Sequence, residues 1–200
     1  MKRLPITRAL MSVTDKSHLA GFARFLHEGG VQIVSTGGTR RHMEEAGLPV
    51  TSVSEVTGFP EIMDGRVKTL HPHVHGGILA DKDNPAHLNA LDELGITPFS
   101  LVCVNLYAFD QAVSKGLGLK ESIELVDIGG PCMLRAAAKN FHSMLVITDV
   151  ADYARVQEEL AANDFTVSLA LRHELAVKTF ALTSRYDAMI AEYLGQQTTE

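Results

Sequence analysis

The sequence predicts an α/β fold: a three-layer α/β/α domain with a mostly parallel central sheet. Short apolar runs of strand length alternate along the chain with amphipathic segments of helix length. This alternation is typical of parallel sheets built with right-handed crossovers. The most apolar run, 100–106, contains no charged residue, as expected of a central strand covered on both faces. No repeat or linker divides the chain, so residues 1–200 are predicted to form a single domain.

The first half of the chain supplies three predicted strands, each a short apolar run that ends in polar or glycine-rich residues. These strands are 9–13, 31–34 and 50–53. Apolar residues spaced three and four apart from Leu19 predict a helix that Gly29 and Gly30 close, and a second helix is expected from Arg40 to Ala46. Glycine and proline interrupt residues 64–77, which we therefore predict to be a loop.

The second half is predicted to alternate strands with helices. Asn84 caps a helix with Pro85 at its first position, and Gly95 ends it. The predicted strands are 100–106 and 144–148, and the predicted helices are 120–125, 132–139 and 149–162. The tail, from about residue 166 to 194, is expected to be helical in one or two pieces that pack on the sheet or against a partner.

Composition excludes several classes of protein. The net charge is −6, whereas a general nucleic-acid binder carries a basic face, so no nucleic-acid partner is expected. We find neither a signal peptide nor a long apolar segment, so no membrane partner is expected and the protein is predicted to be cytoplasmic. The two cysteines, Cys103 and Cys132, lie in apolar surroundings and are interpreted as buried thiols.

Polar residues follow the carboxyl ends of the predicted strands. Four segments share this position: 12–17, 35–39, 105–107 and, through a helix start, 127–130. In an open parallel sheet, ligands bind beyond the carboxyl ends of the strands. The four segments are therefore predicted to meet in one ligand-binding cleft.

The segment Ser35-Thr36-Gly37-Gly38-Thr39 has the composition of a phosphate cradle. Its glycines let backbone N–H groups approach an anion, the following helix start adds positive potential, and its hydroxyls can donate to phosphate oxygens. It matches neither a Walker loop nor a dinucleotide fingerprint. The alternative is a plain strand-to-helix turn with a capping threonine.

Several residues are candidates for catalysis, each with a structural alternative. Asp127 and Lys139 could transfer protons, or could be a helix cap and a solvent-facing cation in a last helical turn. Arg66 and Lys68 lie in a segment constrained by glycine and proline, yet both could be ordinary surface charges. Tyr107 could offer its hydroxyl to a ligand, or could be a core aromatic with an exposed tip.

Three alternating histidines, His71, His73 and His75, could in principle bind a metal ion. A metal site also needs a second shell and usually a carboxylate or thiolate ligand. No metal site is therefore predicted.

Six ordered motifs give the chain a resemblance to the inosine monophosphate (IMP) cyclohydrolase family, which extends over nearly its whole length to Tyr186-Asp187. The motifs are Ser12-Val13-Thr14-Asp15-Lys16, Ser35-Thr36-Gly37-Gly38-Thr39, Thr57-Gly58-Phe59-Pro60-Glu61, Gly65-Arg66-Val67-Lys68-Thr69-Leu70-His71-Pro72, Asn105-Leu106-Tyr107, and Asp127-Ile128-Gly129-Gly130 through Leu134 to Asn140. In most organisms this enzyme is the amino-terminal half of a bifunctional purine-biosynthesis protein. The resemblance implies a methylglyoxal-synthase-like α/β domain.

The function implied by the resemblance is ring closure of 5-formamidoimidazole-4-carboxamide ribotide (FAICAR) to IMP with loss of water, the last step of de novo purine biosynthesis. The family uses no cofactor or metal and suggests a homodimer. The chain stops near residue 200, where the family continues into a transformylase half, so transformylase activity is not expected. A naturally free-standing cyclohydrolase and an excised domain both fit this length.

The resemblance also assigns roles to residues. Lys68, Tyr107, Asp127 and Lys139 look like the catalytic set. Asp127 is expected to hold the carboxamide, Lys139 to move its proton, and Lys68 to stabilise the oxyanion, with acid and base roles of the two lysines left open. The substrate-binding positions it implies are Ser12, Thr14, Asp15, Lys16, Ser35, Thr36, Gly37, Gly38, Thr39, Arg66, Val67, Lys68, Thr69, Asn105, Asp127, Ile128 and Gly129.

Two other functions are possible for a chain of this fold. A regulatory module that only senses a phosphorylated metabolite would need the 35–39 cradle, but not Lys68, Tyr107 and Lys139 together. Methylglyoxal synthase, a lyase, relies on catalytic carboxylates in a pattern that this sequence lacks. One departure from the cyclohydrolase pattern is Ala108, where the family usually has proline.

Overall fold

The computed structural model describes residues 2–106, 109 and 116–197. Over these residues the chain forms a parallel sheet of five strands and a separate ribbon of two. The strands are β1 (Arg3–Pro5), β2 (Arg8–Ser12), β3 (Gln32–Ser35), β4 (Thr51–Ser52), β5 (Leu101–Val104), β6 (Leu145–Ile147) and β7 (Thr166–Ser168). The order in the larger sheet is β4-β3-β2-β5-β6, so the predicted parallel sheet is confirmed.

The middle of the sheet is fully buried. Leu10 of β2 pairs with Val34 on one side and with Val102 on the other. All three residues are fully buried, which agrees with the apolar character of their strands. Since β2, β3 and β5 run parallel, their carboxyl ends point to the same edge of the sheet.

Helices flank the sheet within the described residues. They are α1 (Leu19–Glu28), α2 (Gly37–Glu45), α3 (Val53–Thr57), α4 (Pro72–Leu79), α5 (Pro85–Glu93), α6 (Leu119–Glu124), α7 (Gly129–Lys139), α8 (Tyr153–Ala162) and α9 (Leu169–Gly195). Helix α7 packs on β5 and β6, α9 packs on α7 and β6, and α1 packs on β3. None of the helices in this part of the chain is long and apolar enough to cross a membrane.

The tail is a single helix preceded by a strand. Residues 166–168, predicted as helix, instead form β7, which pairs antiparallel with β1 so that Leu4 faces Val167. The fully buried Arg172 secures this ribbon, because its guanidinium donates to the carbonyl oxygens of Ser168 and Phe141 at 3.2 and 3.1 Å. The amino-terminal ribbon and the start of α9 are thereby tied together.

Two further predictions about local structure need correction. The strand expected at 50–53 is limited to Thr51–Ser52, because Ser52 and Glu55 form a capping box that starts α3. Helices α2 and α7 begin earlier than predicted, at Gly37 and at Gly129. Both glycine pairs therefore lie in first helical turns, where backbone N–H groups are free to bind other groups.

The segment 64–77 was predicted to be a loop, but its second half belongs to helix α4. Pro72 occupies the first helical position, and the His71 ring nitrogen Nδ1 accepts a hydrogen bond from the backbone N–H of His73. Gly77 is needed for close packing: a Cβ there would lie 3.0 Å from the Phe99 ring and 3.1 Å from the Thr97 carbonyl oxygen. The glycine therefore reflects a tertiary contact and does not break the helix.

This packing gives a test with a matched neighbour. We expect Gly77→Ala to lower the free energy of unfolding by about 1–3 kcal/mol, because the added methyl group overpacks against backbone and a buried ring. Gly76→Ala is the control: its Cβ would meet only the Ile96 and Leu91 side chains, at 3.4 Å or more. It should be neutral or stabilising by up to about 1 kcal/mol, since alanine favours helix. Equal destabilisation of both variants in urea melts would contradict the packing argument.

Candidate active site

A cleft of about 850 Å³ lies beyond the carboxyl ends of β2, β3 and β5. Its size suits a small ligand such as a nucleotide. Residues from all four predicted segments contribute to its wall, together with residues of α6, α7 and α9. The wall comprises Ser12, Val13, Thr14, Lys16, Thr36, Gly37, Gly38, Thr39, Asp64, Gly65, Arg66, Lys68, Thr69, Asn105, Ile123, Glu124, Leu125, Val126, Asp127, Ile128, Gly129, Gly130, Met133, Ile190 and Leu194.

One pole of the cleft is built for an anion. Gly37 and Gly38 form the first turn of α2, so their N–H groups and the helix dipole face the cleft. Two ammonium groups flank them: a Cβ on Gly37 would lie 3.5 Å from Lys68 Nζ, and one on Gly38 would lie 3.9 Å from Lys16 Cε. Bare glycine backbone between two lysines can bind a phosphate monoester.

The hydroxyl groups of the 35–39 segment differ in whether they already bond to backbone groups. Thr36 and Ser12 lie with their hydroxyl oxygens 3.2 Å apart at the cleft wall. Thr39 also lines the cleft, but its hydroxyl donates to the Val13 carbonyl and accepts from the Val13 N–H, both at 2.9 Å. Ser35 is fully buried, and its hydroxyl donates to the Met11 carbonyl at 2.7 Å. The expectation that Ser35 and Thr39 donate to phosphate oxygens is therefore corrected: both anchor backbone.

Asn105 clamps the loop that follows β2. Its Oδ1 accepts hydrogen bonds from the N–H groups of Thr14 and Asp15 at 2.6 and 3.1 Å, and its Nδ2 donates to the Asp15 carbonyl at 3.2 Å. The clamp fixes the backbone that carries Lys16, whose Nζ donates to the Thr14 carbonyl at 3.2 Å. The Asp15 carboxylate accepts from the N–H of Ser17 and does not line the cleft.

Carboxylates that sequence reasoning missed accompany the cations of the 61–69 segment. The Lys68 ammonium lies 2.7 Å from the Glu61 carboxylate, and the Arg66 guanidinium pairs with Glu124 of α6. A short antiparallel bridge between Ile62 and Val67 folds the segment back and brings Glu61 to Lys68. Val67 does not line the cleft; its backbone bridge to Ile62 holds the folded shape of the segment.

The other pole of the cleft is formed by Asp127, just before α7. Its Oδ1 accepts a hydrogen bond from the Gly130 N–H at 2.9 Å. Burial raises the pKa of the Asp127 carboxyl above its ordinary value, although the N–H groups of Gly130 and Gly129 act against that rise. Thr69 reaches this pole from the opposite wall, since a Cβ on Gly129 would lie 2.7 Å from its hydroxyl oxygen. The adjoining Ile128 side chain is exposed.

The predicted catalytic set is only partly brought together. Lys68 and Asp127 share the cleft wall, whereas Tyr107 lies outside the described residues. Lys139 is exposed in the last turn of α7 and does not line the cleft. At 1.5 Å per residue it lies about 15 Å along the helix from Gly129.

Helices α6, α7 and α9 give the cleft an apolar side that the sequence analysis did not foresee. Ile123 and Leu125 come from α6 and its end, Met133 from α7, and Ile190 and Leu194 from the last turns of α9. An apolar wall beside a polar pole suits a planar ring attached to a phosphorylated sugar. No local motif marks α9 for this role, since its contribution depends on how the tail packs.

The rings of His71 and His73 are in contact, but their Nδ1 atoms face backbone groups. The His73 Nδ1 lies 3.1 Å from the Val56 carbonyl oxygen, and the His71 Nδ1 accepts the N–H of His73. Burial lowers the pKa of His75. Among the described residues no group of three or more histidine, cysteine, aspartate or glutamate side chains is arranged to hold a metal ion.

Known proteins resemble the chain at several levels. Residues 18–132 match the family model of the MGS-like domain, and residues 137–200 match that of the AICARFT/IMPCHase bienzyme. The bifunctional purine biosynthesis protein PurH of Bradyrhizobium diazoefficiens is 52% identical over 192 residues, which cover 96% of this chain and 36% of that protein. PurH of Magnetococcus marinus is 53% identical over 196 residues, covering 98% and 37%. The chain thus spans little more than a third of the length of these curated relatives.

A solved structure is similar over nearly its full length. The crystal structure of ForH matches with a TM-score of 0.82 and 34% sequence identity, covering 94% of this chain and 98% of that one. Fold and sequence therefore agree on the same kind of domain.

The half-buried carboxyl of Asp127 predicts a stability effect with a defined sign. Its folded-state pKa is raised, so ionised Asp127 opposes folding at neutral pH, and this cost disappears as the pH falls below the ordinary aspartate value. We expect Asp127→Asn to raise the melting temperature at pH 7 by a few degrees, with a gain that shrinks on acidification.

Asp149 supplies the opposite control. The hydrogen bond from Lys178 lowers the pKa of Asp149, so Asp149→Asn should lower the melting temperature at pH 7, and this difference should also shrink on acidification. If Asp127→Asn destabilises the protein at pH 7 as Asp149→Asn does, the account of Asp127 is refuted.

Proposed function

We propose a function from the premise that this chain belongs to the MGS-like domain family, whose model matches residues 18–132. The proposal is that the chain is an IMP cyclohydrolase that closes FAICAR to inosine 5′-monophosphate in the last step of de novo purine biosynthesis. Two findings support this choice within the family. The curated relatives at 52% and 53% identity are named bifunctional purine biosynthesis proteins, and the model matching residues 137–200 is that of the AICARFT/IMPCHase bienzyme.

The observation that carries the proposal is the two-poled cleft. The Gly37–Gly38 turn with Lys16 suits the 5′-phosphate of a ribotide. Asp127 at the start of α7 suits the amide hydrogens of a carboxamide. A substrate that carries both groups would span the cleft and present its formyl group between them.

The chemistry requires one bond to form and one to break. The carboxamide nitrogen attacks the formyl carbon and loses a proton, and the formyl oxygen becomes anionic. That oxygen then takes up two protons and leaves as water, while the formamide nitrogen loses its proton and forms the C=N bond of the new ring. Asp127 would orient the carboxamide, and the Lys68 ammonium would stabilise the developing oxyanion. Because both reacting groups belong to one molecule, holding them in contact geometry supplies much of the acceleration.

Tyr107 and Lys139 complete the proposed proton transfers. Tyr107 would relay a proton to the leaving oxygen, and Lys139 would accept one from the carboxamide nitrogen. The Lys139 amine is exposed at the far end of α7, so in this proposal it reaches a reacting group only by rearrangement or from a neighbouring copy. A homodimer, which the family resemblance suggests, would supply such a copy, and a cytoplasmic location fits the purine pathway.

Turnover of FAICAR tests the proposal directly. Purified protein mixed with FAICAR should produce the ultraviolet absorbance of the purine ring, and Lys68→Met should lower kcat by about 100-fold, a typical cost of removing one oxyanion donor. Lys120→Met is the control, because Lys120 is an exposed lysine of α6 that does not line the cleft; it should retain wild-type turnover.

Other outcomes distinguish the remaining functions. Binding of FAICAR or IMP with no absorbance change would favour a sensory module. Release of methylglyoxal from a triose phosphate would favour the lyase. Either result, or a Lys68→Met variant as active as Lys120→Met, would contradict the proposed mechanism.

A further inference from the structure

A tyrosine of α9, Tyr186, forms a hydrogen bond with the backbone at Asp127. The Tyr186 hydroxyl accepts a hydrogen bond from the backbone N–H of Asp127, with 2.8 Å between nitrogen and oxygen. Tyr186 is only 4% exposed and does not line the cleft. Its contact with the site is therefore made through the main chain of Asp127.

The start of α7 holds the side chain of the same aspartate. The Asp127 carboxylate accepts the Gly130 N–H at 2.9 Å, and a Cβ on Gly130 would lie 2.2 Å from Asp127 Oδ2. The carboxylate thus packs directly against the glycine backbone. A small rotation of the Asp127 side chain would break its hydrogen bond with the Gly130 N–H. With its N–H bonded to Tyr186 and its carboxylate bonded to Gly130, Asp127 is held at both ends.

We propose that Tyr186 is a positioning residue for ring closure, and that its hydroxyl sets the orientation of the Asp127 carboxylate through the Asp127 backbone N–H. The kinetic part of this inference rests on the proposed function, whereas the hydrogen bond does not. A buried N–H without an acceptor is unfavourable. The turn is therefore expected to rearrange when the hydroxyl is removed, which would move the carboxylate away from the carboxamide.

The first test removes a single oxygen atom. Tyr186→Phe should lower kcat for FAICAR about tenfold and change KM less than twofold, because the phosphate pole that supplies binding is untouched. Tyr153→Phe is the matched control: Tyr153 is also 4% exposed, and its hydroxyl meets Cys103 Sγ at 3.4 Å, away from the cleft. It should keep wild-type kcat. A Tyr186→Phe variant within twofold of wild type would overturn the proposal.

A double-mutant cycle separates positioning from general damage. If Tyr186 acts through Asp127, then Tyr186→Phe should change kcat less than twofold once Asp127 is already replaced by Asn, measured at raised enzyme concentration. A loss of stability unrelated to Asp127 would lower kcat by the same factor in both backgrounds. That additive result would also overturn the proposal.

Amide hydrogen exchange gives a readout that does not depend on catalysis. In the wild-type protein the Asp127 N–H should be protected, and Tyr186→Phe should speed its exchange at least tenfold while Tyr153→Phe leaves it unchanged. If the Asp127 N–H exchanges freely in the wild-type protein, the hydrogen bond to Tyr186 is absent in solution and the proposal is refuted. If wild-type protein fails to turn over FAICAR but this exchange pattern holds, the proposed function fails and the contact stands.

Discussion

Side-chain hydrogen bonds to the loop after β2 are the constraint on which the cleft depends. Thr39 bonds both backbone groups of Val13, and Asn105 bonds the backbone of Thr14 and Asp15. The two anchors follow β3 and β5, which are the two neighbours of β2 in the sheet. Both anchors are neutral, and they add to the hydrogen bonds that Lys16 and Asp15 make within the loop. The backbone that carries Lys16 is thereby fixed beside the Gly37–Gly38 turn.

The charged groups at the two poles of the cleft differ in burial and in whether they are paired with an opposite charge. The cations of the 61–69 segment are paired with carboxylates and partly exposed, as in Lys68 with Glu61 and Arg66 with Glu124. Exposed pairs of this kind contribute at most about 1 kcal/mol, so a phosphate dianion can replace the carboxylate partners at little cost. Asp127 is instead half-buried, and its pKa is raised. A desolvated carboxyl group interacts more strongly with the groups that face it.

Sequence patterns were sufficient to locate the main strands and the polar segments that follow them. Apolar runs located β2, β3, β5 and β6, and the polar segments after them formed one cleft. The shortened strand at 50–53 has a local cause, the Ser52–Glu55 capping box, but three other failures depend on distant contacts. Gly77 was interpreted as a helix breaker, yet it accommodates the Phe99 ring. The Ser35 hydroxyl was expected to face a ligand, yet it bonds the Met11 carbonyl of the adjacent strand. Tyr186 belonged to a resembling motif, but its partner lies 59 residues away.

The course of α9 matters for anyone who labels or immobilises the protein. This helix of 27 residues starts beside the amino-terminal ribbon, where the Leu169 N–H donates to the Lys2 carbonyl, and its last turns form part of the cleft wall. At 1.5 Å per residue the two ends are about 40 Å apart. An affinity tag or fluorophore joined after residue 197 would begin within a few residues of Leu194 in the cleft wall. The same group placed before Lys2 would lie at the other end of α9, beside Leu169.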